Sequence, residues 1–190
     1  MSILPPLPSW DAAHPVLIHV PLGSLPLALV FVLLSMVMRG QWSKMFAASA
    51  LILMVIGTLG AFIAVMSGEA TAELAEGTGP MAVLSDPVIE DHEELAELAR
   101  TVFAILTAVY AIIFVVLGRL SNRGKSGPAV WIQSAFLLLY GSALLLLVNA
   151  AHLGGRLVHE FGIHAPIARY TGPDDLPPVP ARLDREDEDD

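Results

Sequence analysis

The sequence predicts an all-α integral membrane protein, a four-helix bundle with both termini outside the cytoplasm. Three observations carry that prediction. Hydrophobic residues make up 55% of the 190 positions and charged residues 15%, and the mean hydropathy is +0.66, whereas a soluble domain carries about a quarter charged residues. The apolar residues fall in four runs, each near the ~20 residues that cross ~30 Å of hydrocarbon at ~1.5 Å per residue. The charges between those runs segregate by sign.

The first span covers residues 16–38. The segment before it, MSILPPLPSWDAAHP, has no basic residue, and the apolar stretch outruns a signal-peptide core, so it is expected to stay in the membrane. Pro15 suits the first helical turn with His14 at its cap, and Pro21 and Pro26 are positioned to bend the helix. The second span covers 45–66, where Gly57, Thr58 and Gly60 make a small-residue surface for close helix packing, or room for a flat cofactor. The third covers 101–118, and the periodicity of DHEELAELAR before it extends its helix outward. The fourth covers 130–151, with Gly141 and Ser142 as its small surface and Asn149 as its deepest polar group. Together residues 1–163 form one membrane domain. Residues 164–190 are Pro-rich and then acidic, with too few apolar side chains to bury, and are expected to be disordered.

Basic residues stay on the cytoplasmic side. Arg39, Lys44, Arg119, Arg123 and Lys125 occupy the loops joining spans one to two and three to four, which hold no acid. All 19 acids lie at the other ends of the spans. Both termini and the central loop are therefore placed outside, with Trp42 and Trp131 at the inner interface and Trp10 at the outer one.

Several function classes drop out. With no cysteine there is no disulfide scaffold, thiolate zinc site, iron–sulfur cluster or c-type haem attachment. The acidic balance and the lack of a basic stripe argue against nucleic acid as a partner. There is no HExxH, no GxSxG and no phosphate-binding glycine loop, and the four spans contain no Asp or Glu, which leaves protease and proton-coupled transport readings without support.

The six histidines gather at the outer end. His14 and His19 open the first helix, His92 precedes the third span, and His152, His159 and His164 follow the fourth. At ~1.5 Å per helical residue, His19 stands about 28 Å above Met38 and His152 about 32 Å above Trp131, while His14 and His92 stand about 37 and 40 Å above Arg39 and Arg119. Two tiers follow, His19 with His152 and His14 with His92. Two imidazoles from different helices at one height are what a b-type haem needs, and a four-helix bundle is a usual place to build such a site. Arg100 and Arg156, the bases near the outer membrane edge, could hold its propionates. The competing expectation is a Zn, Cu or Fe site made from His14, His19, His92, His152 and His159 with nearby glutamates.

At His14-Pro-Val-Leu-Ile-His19-Val-Pro21, at Asp91-His92-Glu-Glu-Leu-Ala-Glu-Leu98 and at His152-Leu-Gly-Gly-Arg-Leu-Val-His-Glu-Phe-Gly162, the chain resembles a family of bacterial four-helix membrane proteins of unassigned function. Its members open with HPxxxHxP and close with GGxLVxxxG. The likeness covers residues 14–163, and His14, His19, His92 and His152 match its histidine-bearing motifs. It departs where members often carry Tyr at position 159 and His at 161, here His159 and Phe161. Some members look to be fused to cytochrome-like domains, so the resemblance implies a bacterial inner-membrane location and, by association, a redox role.

The combined expectation is a membrane electron-transfer subunit resembling a b-type cytochrome, with one or two haems on outer-face histidines. It would work with other respiratory or redox subunits, with quinone and a c-type cytochrome as candidate partners, rather than as an enzyme alone. The alternative is a non-redox membrane subunit whose outer histidines bind a transition metal or dock a partner.

Overall fold

The computed structural model describes residues 10–75, 82–122 and 127–161, all of them helical or in the turns between and after helices. The tail from residue 164, with His164, lies outside the described residues, as do Arg123 and Lys125.

Among the described residues five helices follow in order: α1 Trp10–Leu17, α2 His19–Val37, α3 Gln41–Ala75, α4 Ala82–Asn122 and α5 Gly127–His159. The first two form one rod broken at Ile18. Pro21 has no N–H to return to the carbonyl of Leu17, so the ladder loses one rung there. It resumes on either side, with Ile18 N–H donating to His14 O at 3.1 Å and Leu22 N–H to Ile18 O at 3.2 Å. Pro26, by contrast, is carried inside an unbroken α2. The helix also begins at Trp10 rather than beside Pro15, because Pro15 removes a single rung and the preceding DAAH turn tolerates the loss.

The chain reverses between α2 and α3 at Gly40, whose φ of 64° lies in the left-handed region that other residues rarely adopt. The long helices pass well beyond the apolar runs. Hydrocarbon-length segments lie within Ala13–Val37, Gln41–Ala70, Pro87–Arg119 and Val130–His159, so each helix carries extra turns at its histidine end. The polar DHEELAELAR stretch belongs to α4, which packs it on neighbouring helices instead of ending at the membrane edge.

The helices close into a ring in which α2 packs on α3, α3 on α4, α4 on α5 and α5 back on α2. Leu25, Ala28, Val32, Ala50, Met54, Ala99, Phe103, Leu106, Tyr110, Phe136, Tyr140 and Ala143 form the core. Gly57 and Gly60 bring α3 hard against α2, since a methyl at Gly57 would stand 2.6 Å from Leu25 and one at Gly60 2.6 Å from Val20. Polar groups inside are paired: Thr58 and Thr107 hydroxyls lie 2.8 Å apart, and Tyr140 donates to Leu25 O at 3.1 Å. On the outside, Ile52, Leu59, Ile105, Ile112, Leu138 and Leu145 are each more than half exposed, a surface suited to lipid tails and not to water. Asn149 faces outward.

Candidate functional site

The site is built by two histidines, each held by the other arm of its helical hairpin, the α1–α2 rod pairing with α3 and α4 with α5. On α1, the His14 ring reaches α3, where its Nδ1 lies 2.9 Å from Ala64 O and 3.1 Å from Ser67 Oγ. Ser67 Oγ in turn donates to Ala64 O at 2.9 Å. On α4, His92 reaches α5, with Nδ1 2.9 Å from Ala150 O. A carbonyl only accepts, so both rings carry the proton on Nδ1 in their neutral form and the lone pair on Nε2.

Each ring also rests on a glycine one turn beyond its carbonyl partner. A methyl added at Gly68 would lie 3.1 Å from His14 Cε1, and one at Gly154 would lie 3.1 Å from His92 Cε1. The two half-sites share one plan: a histidine, the carbonyl of an alanine on the other arm of its hairpin, and a glycine four residues past that alanine. The two rings are neighbours, with centroids 6.5 Å apart and ring planes at 90° in an edge arrangement.

Around them lies a cavity of about 680 Å³, within the range of small-molecule and cofactor pockets. It opens because α1 stands off: among the described residues its backbone comes within 8 Å of α2 and α3 but not of α4 or α5. Ile18, Leu22, Ala61, Val65, Phe103 and Leu147 give it apolar walls, while Glu69, Glu90, Glu93, Glu94, Glu97 and Arg100 supply its charges. Five carboxylates against one guanidinium make the lining acidic. Arg100 lies 3.4 Å from Glu97 and 5.2 Å above the Phe62 ring.

The other sequence-predicted residues are placed differently. His19 is exposed, with Nδ1 donating to Pro15 O at 2.7 Å in its own helical rod, and His152 is exposed on α5; neither lines the cavity, whereas His159 does. Arg156 does not line it and pairs with Glu160 at 2.9 Å. Among the described residues no group of three or more His, Asp or Glu is arranged to hold a metal ion. Ala64, Ser67, Gly68, Ala150 and Gly154 were not among the expected site residues. The signal for them was available, as small residues four apart at the histidine end of two helices.

The bundle, its lipid-suited exterior and its four hydrocarbon-length helices define a multi-spanning helical membrane protein. The chain belongs to the family described as "Predicted membrane protein (DUF2231)", whose model matches residues 11–166 and so takes in both half-sites. No curated protein and no solved structure matches it.

Proposed function

We propose that the protein is a membrane electron-transfer subunit in which His14 and His92 bind one b-type haem between the two helical hairpins. The observation that carries this reading is the neighbouring pair of imidazoles, each with its Nδ1 proton directed to a backbone carbonyl. Histidines that ligate metals commonly donate the other ring N–H to a carbonyl or carboxylate, which sets the ligating tautomer. Two imidazole nitrogens each about 2 Å from a shared metal put their ring centroids about 6.3 Å apart, against 6.5 Å here.

The surroundings fit the group in size and polarity. The apolar walls suit a macrocycle, the glycines leave space beside each ring, and Arg100 is placed to meet a propionate. Bound there, haem would supply one-electron chemistry, and the lining carboxylates would favour its more positive, ferric state. His19, His152 and Arg156 have no part in this arrangement.

The sign pattern of the loops supports a bacterial inner-membrane orientation with the Arg39, Lys44 and Arg119 ends cytoplasmic. The histidine pair then stands about 37–40 Å along the helices from that end, at headgroup level beyond the ~30 Å of hydrocarbon. From there an electron would pass between quinone or a membrane redox subunit and an extracytoplasmic acceptor such as a c-type cytochrome.

The test is a dithionite-reduced minus air-oxidised visible spectrum of the purified protein, with a pyridine haemochrome assay on the same sample. A b-type α-band that disappears in His14→Ala and His92→Ala, but persists in His19→Ala and His152→Ala, is expected. Haem-free protein purified from haem-replete cells, and unable to take up added haemin, would overturn the reading.

A further inference from the structure

We infer that Gly68 and Gly154 are positioning residues that lock the two imidazoles at right angles, and that this crossed arrangement is the electronic signature of the site. The inference rests on the haem reading above. Each ring is held at two adjacent atoms: the alanine carbonyl lies 2.9 Å from Nδ1, and the glycine lies beside Cε1, where an added methyl would stand 3.1 Å away. A ring with one hydrogen bond can swing about its remaining torsions. A ring that also lies flush on backbone cannot, because turning it drives Cε1 into the helix or breaks the bond to the carbonyl.

The two grips come from different hairpins, so nothing obliges the planes to agree. His14 takes its orientation from α3 and His92 from α5, and the resulting interplanar angle is 90°. Position and angle are thereby fixed before any ligand arrives, as preorganised sites require. Ser67 adds a third point on the His14 side, 3.1 Å from Nδ1, which makes that half-site the more restrained of the two.

Crossed axial imidazoles have a definite consequence. Each plane would split the pair of iron dπ orbitals along its own direction, and two planes at right angles cancel that splitting. A ferric low-spin centre with crossed rings therefore gives a highly anisotropic paramagnetic resonance signal dominated by one large g value, while parallel rings give a rhombic three-line signal.

The experiment is low-temperature electron paramagnetic resonance of the oxidised full-length protein in detergent, for wild type, Gly68→Ala, Gly154→Ala and Gly23→Ala. Gly23 is the control, because a methyl there meets nothing within 4 Å and the residue is exposed on α2 outside the cavity lining. Wild type and Gly23→Ala should show the single large-g signal. Gly68→Ala and Gly154→Ala should each shift it toward the rhombic pattern, since a few tenths of an ångström of forced displacement tilts the ring. If either variant fails to accumulate, Ser67→Ala provides the second probe, with a smaller shift in the same direction. A rhombic wild-type signal, or alanine variants at 68 and 154 that match the one at 23, overturns the inference while the haem reading stands; protein without haem overturns both.

Discussion

Replacing Gly60 with alanine tests the helix contact that sets the whole histidine end. A methyl on Gly60 would lie 2.6 Å from Val20 Cγ1, 2.9 Å from Val20 Cβ and 3.2 Å from Pro21 Cδ. Carbon atoms rest at about 3.5–4.0 Å, so α2 must retreat from α3 by about 1 Å. The obstructing atoms are a branched Cβ and a proline ring beside the α1–α2 break, so no side-chain rotation clears them. Overpacking of this kind costs about 1–3 kcal/mol, and the helix preference of alanine over glycine returns at most about 1 kcal/mol. Net destabilisation of about 1–2 kcal/mol is expected. Gly23→Ala is the contrast, on the exposed side of the same α2 with nothing within 4 Å of the new methyl, and it should be neutral or stabilising by up to about 1 kcal/mol. Reversible unfolding in mixed detergent micelles, followed by circular dichroism, reads both. Gly60→Ala as stable as Gly23→Ala would falsify the close α2–α3 contact.

Four further outcomes are expected. Removing the Tyr140 hydroxyl as Tyr140→Phe deletes its bond to Leu25 O, 3.1 Å away in the core, and should lower stability by about 1 kcal/mol in the same unfolding assay. A double-mutant cycle on Thr58→Val and Thr107→Val, whose hydroxyls lie 2.8 Å apart, should return a coupling of about 0.5–1 kcal/mol, and zero coupling would mean the pair is unbonded in the membrane. Glu69→Gln and Glu97→Gln each remove a negative charge from the cavity lining, so, with haem bound as proposed, redox titration should give a raised midpoint potential, and an unchanged or lowered value would contradict the proposed haem position beside these carboxylates. Since the chain has no cysteine, single cysteines at Ser43 and Glu94 can be labelled with a membrane-impermeant maleimide in intact cells; Glu94→Cys should react and Ser43→Cys should not, and the reverse pattern would invert the orientation.

Much of the fold was legible because hydrocarbon imposes a simple rule on sequence. Runs such as 45–66 and 130–151 are apolar on every face, and only a helix satisfies their backbone in lipid. The outer ends of α3 and α5 were harder, since hydropathy reports where lipid stops and not where hydrogen bonding stops, whereas the periodicity of DHEELAELAR did extend α4 outward. Glu90, Glu93, Glu94 and Glu97 end the apolar run before residue 101 yet sit comfortably in α4, where glutamate is a good helix former and several of its side chains line the cavity. The break at Ile18 was half legible: proline marks the lost rung, but two prolines in α2 offer the same chemistry and only Pro21 accompanies a break.

The juxtaposition of His14 with His92 was legible in their heights, whereas the outward direction of His19 and His152 was not, because height along a helix is one coordinate and direction is another. His14 and His19 differ by five residues, about 7.5 Å in height and about 140° around the axis. They cannot serve one site, and counting rises alone treats them as near equals. The small residues carry the missing angle. Ala64 and Gly68, like Ala150 and Gly154, are four apart and so share a face, and a face that exposes a carbonyl beside a bare Cα can accept an imidazole edge. His152 lies two residues from both Ala150 and Gly154, about 200° away from each, which turns it to the outside, where the structure has it. An angular reading of the same sequence therefore selects His92 for α5 to hold and leaves His152 facing away. The repeated alanine and glycine spacing after His14 and after His92 ties the histidine on one arm of a hairpin to a receiving face on the other, in both halves of the chain.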